Sequence, residues 1–329
     1  MRLRSLGVLM ALAAVPAVVG CGAADRASLT PTATVPLTGI SNGAAGSVPA
    51  TRMTMADVRY RAPVFAFVSG TLDTYATAQP SLDGTPATDL GITIYQPVGD
   101  VQSARPLVVW IHGGGFTSGV RNEMEGTAIQ YAQLGYVTAS IDYRLDPGSH
   151  CIFVQLGVYT DPVVYARERA RCETAILTAR DDAAAAITWL RQPAQLTRFK
   201  IDTTKVAVGG ASAGAITAIH VGETLNTPGQ PAPAAVRVSA VLAMSGCNYV
   251  DGSIDAADAP IAVLASGGDF LVPFSCVTKT VDAAQAVGTA VLRSYFPQES
   301  AHAQGLYAAH QPEVDRAWRQ FLIDAFALS

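Results

Sequence analysis

The chain has 329 residues, a formal net charge of −4 and only 15% charged residues. The charges are unclustered, so no basic surface for nucleic acid is expected. Half of the residues are hydrophobic, which suffices for one large core once a polar, non-globular N-terminal stretch is set aside.

In chain order, residues 1–20 read as an export signal. Arg2 and Arg4 precede an uncharged apolar run from Leu6 to Val19, shorter than the ~20 apolar residues a bilayer span needs. The run ends in Val18-Val19-Gly20-Cys21. This resembles the bacterial lipoprotein box, which implies that Cys21 is lipid-modified and becomes the first mature residue. The alternative is an ordinary cleaved signal with Cys21 incidental. Residues 21–56 are rich in Thr, Pro, Ala, Gly and Ser without apolar periodicity, the composition of a flexible tether. Residues 57–329 are expected to fold as one catalytic-sized domain. Location outside the cytoplasm, anchored to the membrane by lipid or secreted, follows from this reading.

Within the domain, short apolar runs alternate with helical stretches. Strands are expected at 61–68, 91–97, 106–111, 136–143, 206–209, 239–244, 261–265 and 290–296. Helices are expected at 123–134, 173–191, 213–225, 281–286 and 312–327. Pro106 to Ile111 is continuously apolar, as in a strand buried on both faces. Such alternation predicts an α/β fold, a mainly parallel sheet of about eight strands with helices on both faces. Ligands then bind beyond the carboxyl ends of the strands. Residues 148–171 are too long and too apolar for a plain connection. They read either as a cap over a pocket or as packing against the sheet edge.

Two glycine-rich turns carry the chemistry. Gly210-Ala211-Ser212-Ala213-Gly214 stands between a strand and a helix. A serine at the apex of such a bend needs nearly side-chain-free neighbours two positions away. His112-Gly113-Gly114-Gly115-Phe116 follows another strand. Bare glycines let backbone N–H groups point into a cavity, where a developing oxyanion needs donors. His112 is expected to brace that loop rather than to carry protons.

These motifs, with Trp110–Phe116, Ile141-Asp-Tyr-Arg-Leu145 and Asp202, resemble the α/β-hydrolase fold, in particular its HGGG-loop carboxylesterase and lipase group. The resemblance covers roughly residues 91–321. Ala211 and Ala215 depart from it, without removing a catalytic group. It implies a serine carboxylic-ester hydrolase acting through an acyl-enzyme on small to medium esters, with neither metal nor organic cofactor. The implied oxyanion donors are the N–H groups of Gly113, Gly114 and Ala213. The implied triad order is serine, acid, histidine. His302 follows the last strand, where the family places its base, whereas His310 reads as a solvated residue at a helix approach. Ser266-Gly-Gly-Asp-Phe-Leu-Val-Pro273 resembles the family's acid loop and implies Asp269. The alternative for Asp269 is a turn aspartate capping the next helix. Asp251, Asp255, Asp258 and Asp282 are less well placed.

Apart from Cys21, four cysteines remain: Cys151, Cys172, Cys247 and Cys276. An even number in an exported chain suggests two disulfides. Spacing does not decide the connectivity. Cys151–Cys172 and Cys247–Cys276 are the pairs expected, the second because both residues follow adjacent strands. Two rivals stay open: a serine peptidase of the same fold, and a non-catalytic binding module on the same scaffold. The membrane, through the anchor, and a small-molecule ester are the expected partners; oligomeric state is not legible.

Overall fold

The computed structural model describes residues 58–226, 229–249 and 254–328. The export signal, Cys21 and the tether lie outside the described residues. Eight strands form one sheet: β1 (Val68–Gln79), β2 (Thr88–Pro97), β3 (Arg105–Ile111), β4 (Val137–Ile141), β5 (Ile201–Ala211), β6 (Ala240–Met244), β7 (Ile261–Ser266) and β8 (Val291–Phe296). Their spatial order is β1-β2-β4-β3-β5-β6-β7-β8. β2 pairs antiparallel with β1 and β4, and every pairing from β4 to β8 is parallel.

Every residue of β3, β4, β6 and β7 is buried, because helices cover both faces. Side chains of a strand alternate between faces, and β3 shows it. Leu107, Val109 and Ile111 join one core with helices α3 (Pro162–Leu190), α5 (Ala213–Glu223) and α6 (Phe274–Ala286). Val108 and Trp110 join the other, with α1 (Glu125–Gln133), α7 (Ala303–Ala309) and α8 (Gln311–Ala325). Two short α-helices, α2 (Cys151–Gln155) and α4 (Pro193–Phe199), and a 3₁₀ turn at Arg121–Met124 complete the described set. Helix α3 starts where Asp161 Oδ1 accepts from the N–H groups of Val163 and Val164, with Pro162 in the first turn.

Three expectations need correction. The strand expected at 61–68 is not there. The N–H groups of Val64 and Phe65 bond the carbonyl of Gln133, and the first strand runs from Val68 to Gln79. β1 is an edge strand with mostly accessible side chains, so no apolar run marks it. The helix expected from 173 begins at Pro162, and the short helices at 151–155, 193–199 and 303–309 lack the length for periodicity to show. Among the described residues no helix is long and apolar enough to cross a membrane. Nor does any group of three or more His, Cys, Asp and Glu residues there form a metal-holding cluster.

The far end of α5 buries a carboxyl. Glu223 is 1% exposed, and neither of its carboxyl oxygens has a hydrogen-bond partner among the described residues. Burial first, and then the nearby charges of Asp258 and Asp255, push its pKa up to about 9. A carboxyl raised in the folded state stabilises the fold below its ordinary pKa and loses that contribution as pH rises through the folded value. The window here runs from the ordinary carboxylate range up to about 9. Glu223→Gln is therefore expected to flatten the alkaline fall in stability, by ~2–3 kcal/mol between pH 6 and 8. Thermal melts across that range check it; parallel curves for the two proteins would refute it.

Candidate active site

The carboxyl ends of β3, β5, β6 and β7 open on one rim. At the end of β5 the chain bends at Ser212, whose φ is 56° and ψ −119°, a left-handed conformation costly for a residue with a side chain. The Ser212 N–H donates to Met244 O at the end of β6 (2.9 Å), and α5 starts at once with Ala213. The flanking glycines have steric reasons. A Cβ on Gly210 would stand 2.7 Å from Ile111 O and closer still to the Gly214 carbonyl. One on Gly214 would stand 2.5 Å from His112 O and closer still to Ile111 O. The bend is thus wedged against the end of β3, where the second glycine-rich turn begins.

In that turn Gly114, Gly115 and Phe116 all have positive φ, at 102°, 63° and 67°. Gly113 packs its backbone against the bend: a Cβ there would lie 3.3 Å from Ser212 Cβ. His112 is buried, its ring stacked on Tyr143 with centroids 4.3 Å apart. The Tyr143 hydroxyl donates to the carbonyls of His112 and Gly113 (3.2 and 3.1 Å). Burial lowers the pKa of His112 and outweighs the opposing hydrogen bond to Gly113. His112 is therefore a neutral brace beneath the loop. The stretch 141–145 supplies further braces: Asp142 pairs with Arg121, and Arg144 forks onto Asp182 of α3.

His302 follows β8 and is held through its neighbours on both sides. Ser266 Oγ donates to Ala301 O (2.7 Å), and the Ala303 N–H donates to Ser245 Oγ (2.9 Å). Met244, which accepts from Ser212, and Ser245 are consecutive, so one strand end anchors both the serine bend and the histidine loop. His302 Nδ1 lies 2.7 Å from Asp269 Oδ2. A carboxylate only accepts, so Nδ1 carries the proton and Nε2 keeps a lone pair. Nε2 is buried with no hydrogen-bond partner among the described residues. The other Asp269 oxygen accepts from the N–H groups of Leu271 and Val272 (2.9 and 3.0 Å). Asp269 therefore also caps its own turn. Burial pushes its carboxyl up, but the His302 hydrogen bond, the Val272 N–H, the His302 charge and the Leu271 N–H together hold it below the ordinary range.

The remaining acids lie elsewhere. Asp282 is exposed on α6 beside Arg293; Asp258 accepts from the Asp255 N–H and from Asn226 Nδ2, and the Asp255 carboxylate accepts from the N–H groups of Gly229 and Ala257. Asp251 is outside the described residues. His310 is not the solvated residue expected: its ring stacks on Phe296 at 3.7 Å, 3.5 Å from Glu299. The sequence shows Phe296 and His310 too far apart for local spacing to reveal that contact.

Both disulfides are formed, Cys151–Cys172 and Cys247–Cys276. A small cavity beside Ser212 is lined by Gly115, Phe116, Ile152, Ala213, Ile216 and Val272, among others, with about 20 Å³ of free volume. Cys151, Ile152 and Gln155 from α2 lie on its wall. Sequence reasoning did not find Ser245, Ser266 or Tyr143. Tyr143 and Ser266 carried a signal only as members of the 141–145 and 266–273 motifs, and Ser245 carried none.

Two family profiles match parts of the chain, one described as BD-FAE over residues 92–152 and one described as alpha/beta hydrolase fold over residues 161–263. Esterase LipI of Mycobacterium tuberculosis is 29% identical over 153 residues, 46% of this chain and 39% of that protein. The non-reducing polyketide synthase ascC of Acremonium egyptiacum is 30% identical over 149 residues, 45% of this chain and 6% of that protein. The chain thus spans well under half the length of either curated relative. Among solved structures, the native esterase 2 of Thermogutta terrifontis superposes with a TM-score of 0.59 at 18% identity, covering 79% of this chain and 94% of that one. The propionate-bound form of the same esterase gives 0.59 at 18%, covering 79% and 96%. Sheet order, the strained strand-to-helix serine and these superpositions agree: the chain has the α/β-hydrolase fold.

Proposed function

We propose that this chain is a serine ester hydrolase of the carboxylesterase type. One observation carries the reading above all: a half-buried His302 paired with the buried Asp269 through Nδ1, which leaves Nε2 as an acceptor, anchored on the same strand end as a strained serine. Ser212 attacks the ester carbonyl while His302 Nε2 takes its proton. Asp269 holds the imidazole in that tautomer and stabilises the imidazolium. The N–H groups of Gly113, Gly114 and Ala213 receive the oxyanion. His302 returns the proton to the departing alcohol, and water, activated by the same imidazole, releases the acid from the acyl-enzyme. The esterase names of LipI and of the Thermogutta structures support the substrate class.

A fluorophosphonate probe tests the reading. The full chain is expected to gain one adduct, located by peptide mass spectrometry on Ser212, and Ser212→Ala is expected to gain none. An unlabelled wild-type protein that also fails to cleave p-nitrophenyl esters would leave the binding-module rival standing. The Thermogutta terrifontis esterase 2 is known phosphorylated by paraoxon, so phosphorus electrophiles suit this fold.

The export signal and Cys21 add a location: the enzyme works outside the cytoplasm, tethered to the membrane through lipid on Cys21. Four cysteines joined in two disulfides fit an oxidising compartment. In the source cells the protein is expected in the membrane fraction with a lipid adduct on its N-terminal peptide, and Cys21→Ser in the soluble fraction. Equal partitioning of the two proteins would reject the anchor.

A further inference from the structure

A groove of about 600 Å³ adjoins the small cavity at Ser212, and Gln155, Cys172, Ile176 and Tyr249 line both. Gln155 Nε2, Asn248 Oδ1 and Tyr249 Oη are buried atoms, and none has a hydrogen-bond partner among the described residues. All three residues line the groove. They come from separate parts of the fold, α2 and the loop after β6, and each part is stapled. Cys151–Cys172 ties α2 to α3, and Cys247–Cys276 ties the residue before Asn248 to α6. The Asn248 N–H is fixed in addition on Thr280 Oγ1 (2.8 Å). The covalent framework thus holds an amide donor, an amide acceptor and a phenol at the wall of one groove that leads to the nucleophile.

We propose that Gln155, Asn248 and Tyr249 form a hydrogen-bonding subsite that selects esters whose arm running from Ser212 into the groove bears hydroxyl groups. The proposal rests on the reading of Ser212 as an ester-cleaving nucleophile. A hydroxyl both donates and accepts, so it satisfies the Gln155 amide N–H and the Asn248 carbonyl alike. A carboxylate arm would suit the two donors and the Lys279 and Arg169 side chains that also line the groove, but it has no proton for the Asn248 oxygen and would face the charge of Asp269, which acts on Tyr249. An ammonium arm would find acceptors in Asn248 Oδ1, Tyr249 Oη and the Glu173 carboxylate, which is already paired with Arg169, but it has no lone pair for the Gln155 N–H. A hydrocarbon arm would leave all three buried polar atoms without partners. A site built to bond a hydroxyl rejects an analogue lacking it far more strongly than an apolar site distinguishes one methylene.

The test compares kcat/KM on two matched pairs with the full-length protein. 2-Hydroxyethyl butyrate against propyl butyrate places the hydroxyl on the alcohol arm. Ethyl 6-hydroxyhexanoate against ethyl heptanoate places it on the acyl arm. At least tenfold preference for the hydroxylated member of one pair is expected, and the pair that shows it names the arm in the groove. Tyr249→Phe and Asn248→Ala, each checked for an unchanged melting temperature, are expected to narrow that ratio below threefold. Hydrolysis of both members of each pair within twofold by the wild type overturns the subsite and leaves the nucleophile intact. Failure to hydrolyse any of the four, together with failure of the fluorophosphonate to label Ser212, overturns the nucleophile reading and the subsite with it.

Discussion

Asp269→Asn is expected to lower kcat on a p-nitrophenyl ester by about 10⁴-fold, the scale of losing the orienting acid of a serine triad, with little change in KM. The geometry says why an isosteric change does so much. Asp269 Oδ1 accepts from the N–H groups of Leu271 and Val272. An asparagine keeps those bonds by placing its carbonyl oxygen there, which turns its NH2 toward His302 Nδ1. Two donors cannot face each other, so the imidazole moves its proton to Nε2. In the proposed mechanism the nitrogen that accepts from Ser212 is then a donor, and the nucleophile has no base. The fold should survive, because the turn bonds survive. A second readout separates this account from simple loosening. In the wild type the Asp269 carboxyl sits below its ordinary range, so the pair contributes stability above the unfolded carboxylate pKa and loses it as pH falls through the lowered folded value. Asp269→Asn should lack that acid limb in thermal melts while melting normally near neutral pH. A kcat within tenfold of wild type would end the assignment of Asp269.

The parts of this fold legible from sequence are those whose local chemistry matches their final surroundings. β3, β4, β6 and β7 are buried on both faces; the apolar runs of β3, β6 and β7 say so directly, whereas β4 carries Thr138 and Ser140 within it. β1 has water along much of its length, and its Thr, Asp and Gln residues read as loop. The serine bend was legible because sterics alone demand glycine at 210 and 214. Asp269 was reachable through a short loop pattern, and its two oxygens show that the turn-capping reading and the His302 partnership are both present. Neither Ser245 nor the bonding role of Ser266 within the acid loop was legible. Each is an ordinary strand-end serine until the fold brings residues 301 and 303 alongside, some 35 and 58 positions away in sequence. The stacking of His310 on Phe296 is hidden for the same reason. Cysteine pairing stood between these cases: spacing was silent, but the adjacency of β6 and β7 brings Cys247 and Cys276 together.

Gly214→Ala is expected to destabilise the protein by ~3 kcal/mol or more, at the upper end for overpacking a closed core, and to abolish probe labelling at Ser212. One added methyl group is enough because its neighbours are backbone. It would meet His112 O at 2.5 Å and Ile111 O closer still, and neither carbonyl can rotate away as a side chain can. Relief requires α5 to draw back from the end of β3. That motion separates Ser212 from Gly113, whose backbone packs against it, and so splits the proposed nucleophile from the proposed oxyanion donors even in molecules that stay folded. The control is another helical glycine. Gly126 lies in α1 with nothing within 4 Å of an added Cβ, so Gly126→Ala should be neutral or stabilising by ~0.5–1 kcal/mol through lower chain entropy in the unfolded state. Thermal melts and fluorophosphonate labelling of both variants decide the matter. If Gly214→Ala melts with the wild type and labels at its rate, the bend is not wedged against β3, and the steric account of the serine's strained conformation fails with it.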